Sequence, residues 1–501
     1  MTTAKSCTGQ AERWLRWLVG GLSVALVLLF VVTALLRWRY PYELEELEGY
    51  VYLTALRVYR GQPIYVRPSL QFIPYMYPPG YYAACAAVGR VMGMSIRTMR
   101  AVSIASTLGS FAAIYALVWR EVRQHVAALA AVGLYAGCYT VCQCWFDLGR
   151  LDSFFVLLVL LALYATRWTH PVVAALVWVM AFQTKQSILP AALVMLCCNW
   201  REVRRTVSGL VVLLLGAAGS VLWLDHATRG WYSFYVFAVP RANADVRLRS
   251  LLVYWPQEVL RPLLLAVVVI AAAVLLTRPR LRGEATRFHA ALCSVPLLFW
   301  MVYAHAGSTA NAMMPVYAVL AVWFGVSFAR LLAWAATLEP AMAQRCTLLL
   351  LLAVAAQEAA GVYSPGDYAP SPTRRASLTA AVAAIAAVPG DVYVAQHPYY
   401  GLLAQKPEHA DMVAIHDALR PADEAVRSEL QRQLSAALES QRYSAIVLDW
   451  PEDTVRLGVL SGAADWSRGY GELHPLPGVD SGTRPGWMLS PARSAPDAVR
   501  P

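Results

Sequence analysis

The stretch Trp17–Leu36, WLVGGLSVALVLLFVVTALL, decides the fold class of this chain. It carries no charged side chain, and about 20 apolar residues are what an α-helix needs to cross a hydrocarbon core of about 30 Å. The stretch ends at Arg37 and lacks a small-residue cleavage pattern, so we interpret it as an uncleaved anchor rather than a signal peptide. It predicts that the chain is inserted in a membrane.

Similar apolar stretches recur as far as Ala360. Over the 501 residues, 58% are apolar and only 15% are charged, whereas a soluble domain carries about 25% charged residues. This composition excludes an ordinary soluble enzyme, a disordered chain and a fibrous protein. With Trp17–Leu36, about eleven spans are predicted. The other spans are Val102–Trp119, Val126–Val141, Ser153–Thr166, Pro171–Phe182, Ile188–Cys198, Val207–Leu224, Pro262–Thr277, Ala290–Tyr303, Ala312–Phe328 and Cys346–Ala360.

The segment Tyr81–Met94 decides the topology. It is short, carries Arg90 and follows Pro78-Pro79-Gly80, so we predict that it lies at the membrane interface without crossing. Every basic loop then falls on one side, which the positive-inside rule identifies as cytoplasmic, together with the N-terminus. These loops account for the net charge of +11, and no nucleic-acid partner is predicted. The basic residues are Lys5, Arg13, Arg16, Arg120, Arg123, Arg167, Arg201, Arg204, Arg205, Arg278, Arg280, Arg282, Arg287, Arg330 and Arg345.

The chain divides into two predicted domains. Residues 1–360 form a transmembrane domain whose first extracytoplasmic loop covers residues 37–100, and residues 361–501 form a small extracytoplasmic α/β domain. In the second domain, Asp391–Ala395 and Ser444–Asp449 are typical of short buried strands, and Ala422–Ser440 is typical of a charged helix. The end of the chain, from about Gly478, is rich in Pro, Gly and Ser and is predicted to be loose. The fold class is therefore a polytopic all-α membrane protein with a C-terminal α/β domain.

An acidic motif, Glu43-Leu44-Glu45-Glu46-Leu47-Glu48, follows the first span. If this segment is extended, Glu46 and Glu48 point the same way. Such a pair suits a general base or one divalent cation, and a solvated acidic cap is the alternative. No cofactor is predicted, and the need for a metal stays open.

Three charges, Asp147, Arg150 and Asp152, lie at the outer junction of two predicted spans. Because a charge deep in a membrane helix costs at least about 2.5 to 3.5 kcal/mol, they are not expected to face lipid. In a helix, Asp147 and Arg150 would be i, i+3 partners, leaving Asp152 free for a ligand. A salt bridge that fixes the helix at the interface is the alternative.

Lys185 is the only lysine between Lys5 and Lys406. The flanking helices, Pro171–Phe182 and Ile188–Cys198, reach only about 21 to 24 Å even with ragged ends, so the turn between them should lie in a recess. An ammonium group in a recess requires an anionic partner. That partner is a phosphate at the membrane interface or, alternatively, Asp152 or a glutamate of the first loop.

Weaker signals complete the predicted substrate pocket. Trp231 belongs to an aromatic cluster in an outward loop, although aromatic belts at membrane interfaces explain most such clusters. His305 and Asn311 bracket a turn of small residues before Met313-Met314-Pro315. The predicted pocket residues are Tyr77, Asp147, Trp231, His305 and Asn311.

In order, these motifs resemble one known group of enzymes. The acidic motif is followed by Tyr-Pro-Pro-x-Tyr-Tyr, Trp-Phe-Asp-Leu-x-Arg-x-Asp-Ser, Thr-Lys-Gln-Ser, Gly-Trp-x-x-x-Tyr and Asn-x-x-Met-Pro. From Trp17 to Ala360 the chain resembles the GT-C superfamily of integral membrane glycosyltransferases. The bacterial branch related to protein O-mannosyltransferases and lipid A aminoarabinose transferases is the most similar.

The resemblance implies a GT-C fold and transfer of a sugar from a polyprenyl-phosphate donor. The implied acceptor is a glycan, lipid or protein of the cell envelope, at the outer face of the bacterial inner membrane. The family carries an Asp-Glu pair where this chain has Leu47-Glu48, so Glu48 matches the second member and Glu46 is a substitute for the first. Asp152 matches the family's acidic residue at the fourth helix.

The resemblance also implies a site for the donor phosphate. Lys185 matches the family's phosphate-binding lysine, and Arg150 is a predicted helper. Aminoarabinose transferases carry a basic residue before Pro-Pro where this chain has Tyr77, so a further contact is expected from Arg57, Arg60 or Arg67.

Two other classes of protein stay open. A transporter or flippase of a lipid-linked saccharide would share the buried charges, but such proteins often show internal repeats, and none is evident in the sequence. An assembly protein that presents its C-terminal domain to partners would not require Lys185 or Asp152 at membrane depth.

Overall fold

The computed structural model describes residues 2–277, 283–305, 308–421, 423–462, 466, 470–480 and 483–491. Three arginines of the predicted basic loops, Arg278, Arg280 and Arg282, lie outside the described residues, as do residues 492–501 of the predicted loose end.

Eight helices in the described part of the chain are long and apolar enough to cross a membrane, so the protein is a multi-pass membrane protein. Three shorter apolar helices lie where the remaining predicted spans were placed, and the total of eleven crossings stays a prediction. The long helical stretches are Gln10–Trp38, Ile96–Val122, Leu151–Trp168, Val203–Ala227, Leu248–Thr277, Glu284–Tyr303, Ala310–Ala335 and Pro340–Ala359; the shorter ones are His125–Gly137, Pro171–Phe182 and Gln186–Leu196.

The helices pack through small residues, which allow close approach of backbones in a membrane. A Cβ atom at Gly325 would lie 2.8 Å from both the carbonyl oxygen of Ala127 and the Cβ of Ala131. The first helix is Thr2–Trp38 and the last helix of the bundle is Pro340–Ala359. Their C-termini lie at the same end of the bundle, where the last helix leads into the C-terminal region. We call this the loop end.

The first loop covers the loop end with two helices, Glu48–Tyr59 and Gly80–Met92. The second helix has 13 residues and is not among the described helices that are long enough to cross a membrane. The loop residues Tyr50 and Tyr81 belong to the same buried core as Tyr393 and Tyr400 of the C-terminal region. The loop and the C-terminal region therefore share one core at this end of the bundle.

The C-terminal region, which we call the tail, begins at Gly361 and contains a four-stranded sheet of order β1-β2-β4-β3. The strands β1 and β2 are parallel, and β4 is antiparallel to both β2 and β3. The strands are β1 (Val392–Val394), β2 (Ala445–Leu448), β3 (Tyr470–Pro475) and β4 (Trp487–Pro491). The helices are Pro365–Tyr368, Pro372–Ala387, Pro398–Leu403, Met412–Leu419, Glu424–Glu439 and Asp453–Ser461.

The two predicted strands and the predicted helix of the tail are present as β1, β2 and Glu424–Glu439. The expectation of a loose end is wrong for Trp487–Pro491, which pairs with β2 and β3. Most residues of β3 are exposed. β3 therefore lacks the continuous apolar run that marks a buried strand in a sequence, and in β4 the run is limited to Trp487–Leu489.

Candidate functional site

Several predicted motifs meet at the loop end of the bundle. The amide of Gly80 donates a hydrogen bond of 2.7 Å to the carbonyl oxygen of Gln183, which joins the first loop to the turn that carries Lys185. A Cβ atom at position 80 would lie 2.6 Å from that oxygen, so a residue without a side chain is needed here. The loop thus covers the recess between the two short helices.

Glu48 forms a buried ion pair with Arg100. The guanidinium of Arg100 donates hydrogen bonds of 2.8 and 2.6 Å to the two carboxylate oxygens of Glu48. The amides of Gly149 and Leu44 donate to the same oxygens at 2.6 and 2.9 Å. Both side chains of the pair have no exposed surface. Arg100 also donates to the carbonyl oxygen of Tyr40, so the pair fixes the chain as it leaves the first helix.

Asp147 forms a second buried pair, but not with the predicted partner. Its carboxylate accepts a hydrogen bond of 2.7 Å from Arg37 and one of 3.0 Å from Tyr139. The predicted pair between Asp147 and Arg150 is wrong because Asp147 ends a short 3₁₀ helix, and the helix with Asp152 begins only at Leu151. Asp147 therefore anchors the first helix and lies outside the predicted pocket.

Arg150 is paired instead with Glu45, at 2.5 Å. It also donates to the hydroxyl of Tyr75 at 3.1 Å, and its guanidinium carbon lies 4.8 Å from the ring centre of Trp145. Its Nε has no hydrogen-bond partner among the described residues. The Glu45 side chain keeps 23% of its surface exposed, whereas that of Arg150 keeps 2%. Solvent at the loop end therefore reaches the pair through Glu45.

Lys185 lies 3.1 Å from Asp152, which also accepts a hydrogen bond of 3.1 Å from Asn311. The ammonium group is 5.7 Å from the ring centres of both Tyr77 and Phe155. The other oxygen of Asp152, Oδ2, is buried and has no hydrogen-bond partner in the part of the chain that the structure describes. In this structure the anionic partner of Lys185 is thus Asp152, one of the alternatives left open by the sequence.

The remaining acidic residues form a turn between the bundle and the tail. Because a helix begins at Glu48, the expectation that Glu46 and Glu48 share one face of an extended segment is wrong. Glu46 is exposed and has no ion pair or hydrogen bond to any other described residue. Glu43 is buried and lies 2.5 Å from Nδ1 of His397, in the tail.

The charges of the turn differ in their proton affinity. Glu46 keeps exposed surface, but the surrounding atoms of the loop end remove part of the water around its carboxylate. This partial desolvation, together with the neighbouring carboxylate of Glu45, raises the pKa of Glu46 above its ordinary value. Burial alone would raise the pKa of Glu48, but the contacts with Arg100 outweigh it and lower that pKa. Glu46 is therefore the better proton acceptor, and both oxygens of Glu48 are already occupied.

Four predicted site residues lie away from this cluster. Arg60 pairs with Glu408 of the tail at 2.7 Å, and Arg57 lies 4.1 Å from the ring centre of Phe72. Trp231 packs against Phe234 and Tyr235. The backbone of His305 forms an isolated bridge to Val246. The predicted site residues that do come together are Tyr77, Arg150, Asp152, Lys185 and Asn311. Glu46 is linked to this group through its electrostatic interaction with Arg150.

Four residues of the site were not predicted. Arg100 had a signal in the sequence, since it is a charge just before an apolar stretch. Glu45 was part of the acidic motif, and Tyr75 belongs to the same motif as Tyr77. His397 lies in another part of the chain and carries no motif that links it to the loop. In the part of the chain that the structure describes, no group of three or more His, Cys, Asp or Glu is placed to hold a metal ion.

The fold is similar to that of solved membrane enzymes. ArnT from Cupriavidus metallidurans, bound to undecaprenyl phosphate, has a TM-score of 0.59 and 13% identity, with 94% of this chain and 99% of that chain covered. Its apo form gives 0.59 and 14%, with 95% and 97% covered. The archaeal oligosaccharyltransferase AglB from Archaeoglobus fulgidus, in complex with an inhibitory peptide and a dolichol-phosphate, gives 0.51 and 11%, with 94% and 74% covered.

No protein-family model and no curated protein sequence matches the chain. At 11 to 14% identity the likeness concerns the fold, and it extends over the bundle, the first loop and the tail. The predicted resemblance is confirmed at this level: the chain has the fold of the GT-C integral membrane glycosyltransferases.

Proposed function

We propose that this protein is a glycosyltransferase that moves a sugar from a polyprenyl-phosphate carrier to an acceptor hydroxyl of the cell envelope. Transfer takes place at the outer face of the cytoplasmic membrane, with the N-terminus cytoplasmic and the tail extracytoplasmic. The transmembrane domain, residues 1–360, carries the catalytic groups. The two lipid-phosphate complexes among the structural relatives support this class of donor.

One observation carries the proposal: Arg150 and Lys185 are two nearly buried cations in one wall of the site, at the end of a membrane bundle. Two such cations are expensive to desolvate, and each has a carboxylate partner that an anionic ligand can replace. Arg150 interacts electrostatically with Tyr75, Asp152 and Tyr77, so the two cations belong to one cluster. A phosphate at headgroup depth would lie within this cluster.

The chemistry requires charge stabilisation at the leaving group. When the acceptor oxygen forms a bond to the anomeric carbon, the bond between that carbon and the phosphate oxygen breaks. The phosphodiester monoanion thereby becomes a phosphate monoester with an additional negative charge. Fixed cations that gain strength as this charge develops stabilise the transition state more than the ground state. Lys185 and Arg150 fulfil this role in the proposal.

The acceptor hydroxyl must lose its proton as the new bond forms. Glu48 cannot take it, since Arg100 and two amides occupy both of its oxygens. We therefore assign the general base to Glu46, the exposed carboxylate with the raised pKa. Glu45 orients Arg150, and Asp152 holds Lys185 in place until the donor binds.

The experiment that tests the proposal uses purified protein in lipid vesicles with a polyprenyl-phosphate sugar or a nucleotide sugar. We expect transfer from the lipid-linked sugar, which Glu46→Gln and Lys185→Ala suppress while Arg57→Gln does not. Transfer from the nucleotide sugar alone would overturn the donor assignment. Movement of the lipid-linked sugar across the bilayer without bond cleavage would show a flippase instead.

A further inference from the structure

The acidic turn is held at both of its ends by ion pairs from different parts of the molecule. At one end, Glu48 is bound by Arg100 of the bundle. At the other end, Glu43 is bound by His397 of the tail. The residues that face the site, Glu45 and Glu46, lie between these two attachments. Their position therefore depends on the tail as much as on the membrane helices.

His397 lies between two carboxylates. Its Nδ1 is 2.5 Å from Glu43 and its Nε2 is 3.2 Å from Asp449, which follows β2. All three side chains are at least nine-tenths buried. Only Nδ1 forms a hydrogen bond, to Glu43, whereas Nε2 lies at ion-pair distance from Asp449 without a hydrogen bond among the described residues. A carboxylate within 3.2 Å of each ring nitrogen attracts a positive charge on the imidazole, which is stacked on the ring of Tyr400.

The surroundings of His397 favour this charge. Burial by itself lowers the pKa of His397, but Glu43 and Asp449 outweigh burial and raise it well above 6.5. Glu46 of the first loop and Asp411 of the tail also interact electrostatically with the imidazole. Burial raises the pKa of Glu43 to about 7 even beside His397. Because both pKa values are raised, His397 and Glu43 bind protons more tightly in the folded protein than in the unfolded chain. The contribution of this contact to stability therefore falls as the pH rises.

Gly49 allows the tail to approach the turn this closely. A Cβ atom at this position would lie 1.7 Å from Oε1 of Glu43 and 2.5 Å from the Cβ of Tyr399. The hydroxyl of Tyr399 donates a hydrogen bond of 3.1 Å to the carbonyl oxygen of Pro41, on the other side of Glu43. The contact between tail and turn is therefore close-packed as well as charged.

We propose that His397 is a positioning residue through which the tail sets the geometry of the acidic turn, and thereby of the proposed base Glu46. The catalytic consequence rests on the proposed function. The contact of His397 with Glu43 and Asp449, which we call the clamp, is independent of it. The tail is then a working part of the site, and a chain whose tail is displaced would bind donor but transfer it slowly.

Hydrogen exchange on the full-length protein in lipid nanodiscs tests the clamp. His397→Gln should lower the protection of the amides in residues 41–50, corrected for intrinsic exchange, by about tenfold or more, and leave the bundle unchanged. The matched control is His409→Gln, since His409 is also buried but pairs with Asp391 within the tail. Unchanged protection of residues 41–50 in His397→Gln would overturn the proposal.

The unmodified protein gives a second measurement in case His397→Gln does not accumulate. The corrected protection of residues 41–50 should fall as the pH rises above 6.5, the ordinary value, through the raised pKa at which His397 loses its proton in the folded protein. A pH-independent protection would overturn the proposal. Gly49→Ala should reproduce the loss of protection at neutral pH without changing any charge.

The catalytic consequence is read from the rate of transfer. Misplacement of a reacting group by about 1 Å costs roughly 10²-fold in rate, so kcat of His397→Gln should fall by about that factor. KM for the lipid donor should not change, and the fall of activity on the alkaline side should disappear in the variant. Equal kcat values for His397→Gln and His409→Gln would contradict the positioning role. If the unmodified protein transfers no sugar, the proposed function fails, whereas the exchange experiments still decide the clamp.

Discussion

Glu46 and Glu48 are two residues apart in one acidic motif, yet they occupy opposite environments. Glu48 is sealed in a pair with Arg100, in which neither side chain has exposed surface. Glu46 is exposed, with a raised pKa and no partner among the described residues. The same side chain is thus a structural anchor at one position and a candidate base at the other. Burial and the number of donors decide between the two, not residue type.

The largest effect should come from breaking the sealed pair. Removal of one partner leaves an uncompensated buried charge, which costs about 3 to 5 kcal/mol, so Arg100→Ala should lower the unfolding temperature strongly or prevent accumulation. Glu46→Ala is the matched control and should change the unfolding temperature little. Fluorescence-detected unfolding of the purified protein measures both. Equal stability of the two variants would show that the Glu48 pair is not an anchor.

Glu46→Gln should produce the largest loss of activity in a folded protein. Loss of a general base typically lowers the rate by about 10² to 10⁴-fold, and the exposed amide should leave the unfolding temperature unchanged. Steady-state transfer from a polyprenyl-phosphate sugar measures this loss, with Glu408→Gln as control, since Glu408 is a carboxylate of the tail that pairs with Arg60 of the first loop. Full activity of Glu46→Gln would show that Glu46 is not the general base and would leave Glu45 and Asp152 as the candidates.

Lys185→Ala should weaken binding of the donor by about 10- to 100-fold, as expected for a charged hydrogen bond worth about 1.5 to 3 kcal/mol. Lys185→Arg should restore only part of the affinity, because the planar guanidinium places its donors differently. Equilibrium binding of polyprenyl phosphate to the purified protein is the measurement. An unchanged affinity in Lys185→Ala would show that Lys185 does not bind the donor phosphate and serves only in its contact with Asp152.

The pH dependence of stability should show the two ends of the acidic turn separately. The pKa of Glu48 is lowered in the folded protein, so its contribution is complete above its ordinary value of 4.5 and is lost as the pH falls through the lowered value. The raised pKa of His397 gives the opposite sign, with a contribution that is complete below 6.5 and is lost at alkaline pH. Unfolding temperatures measured across pH should therefore fall on both sides. A His397→Gln variant that retains the alkaline fall would contradict this assignment.

The membrane bundle could be predicted from the sequence because the thickness of the bilayer sets the length of an apolar helix. Trp17–Leu36 is contained in a continuous helix, and Pro171–Phe182 has the predicted bounds. The motifs that carry the charges were also identified correctly as parts of one end of the molecule. These motifs are recognisable because a charged side chain in an apolar stretch costs free energy in a membrane and is therefore rare without a function or a partner.

The pairing of these charges could not be predicted. Glu45 and Arg150 are 105 residues apart, and His397 is 354 residues from Glu43. Such contacts depend on how loops close over the bundle. The exposure of Glu46 depends on a turn that ends where a helix begins at Glu48, and the exact first residue of a helix is the part of a helix that a sequence predicts least reliably.

The most direct test of this account is a structure of the full-length protein in lipid with undecaprenyl phosphate bound. We expect the phosphate at hydrogen-bond distance, about 3 Å, from both Lys185 Nζ and the guanidinium of Arg150, with the contact between Lys185 and Asp152 opened. A bound lipid whose phosphate lies elsewhere, with Lys185 still on Asp152 and Arg150 still on Glu45, would contradict it.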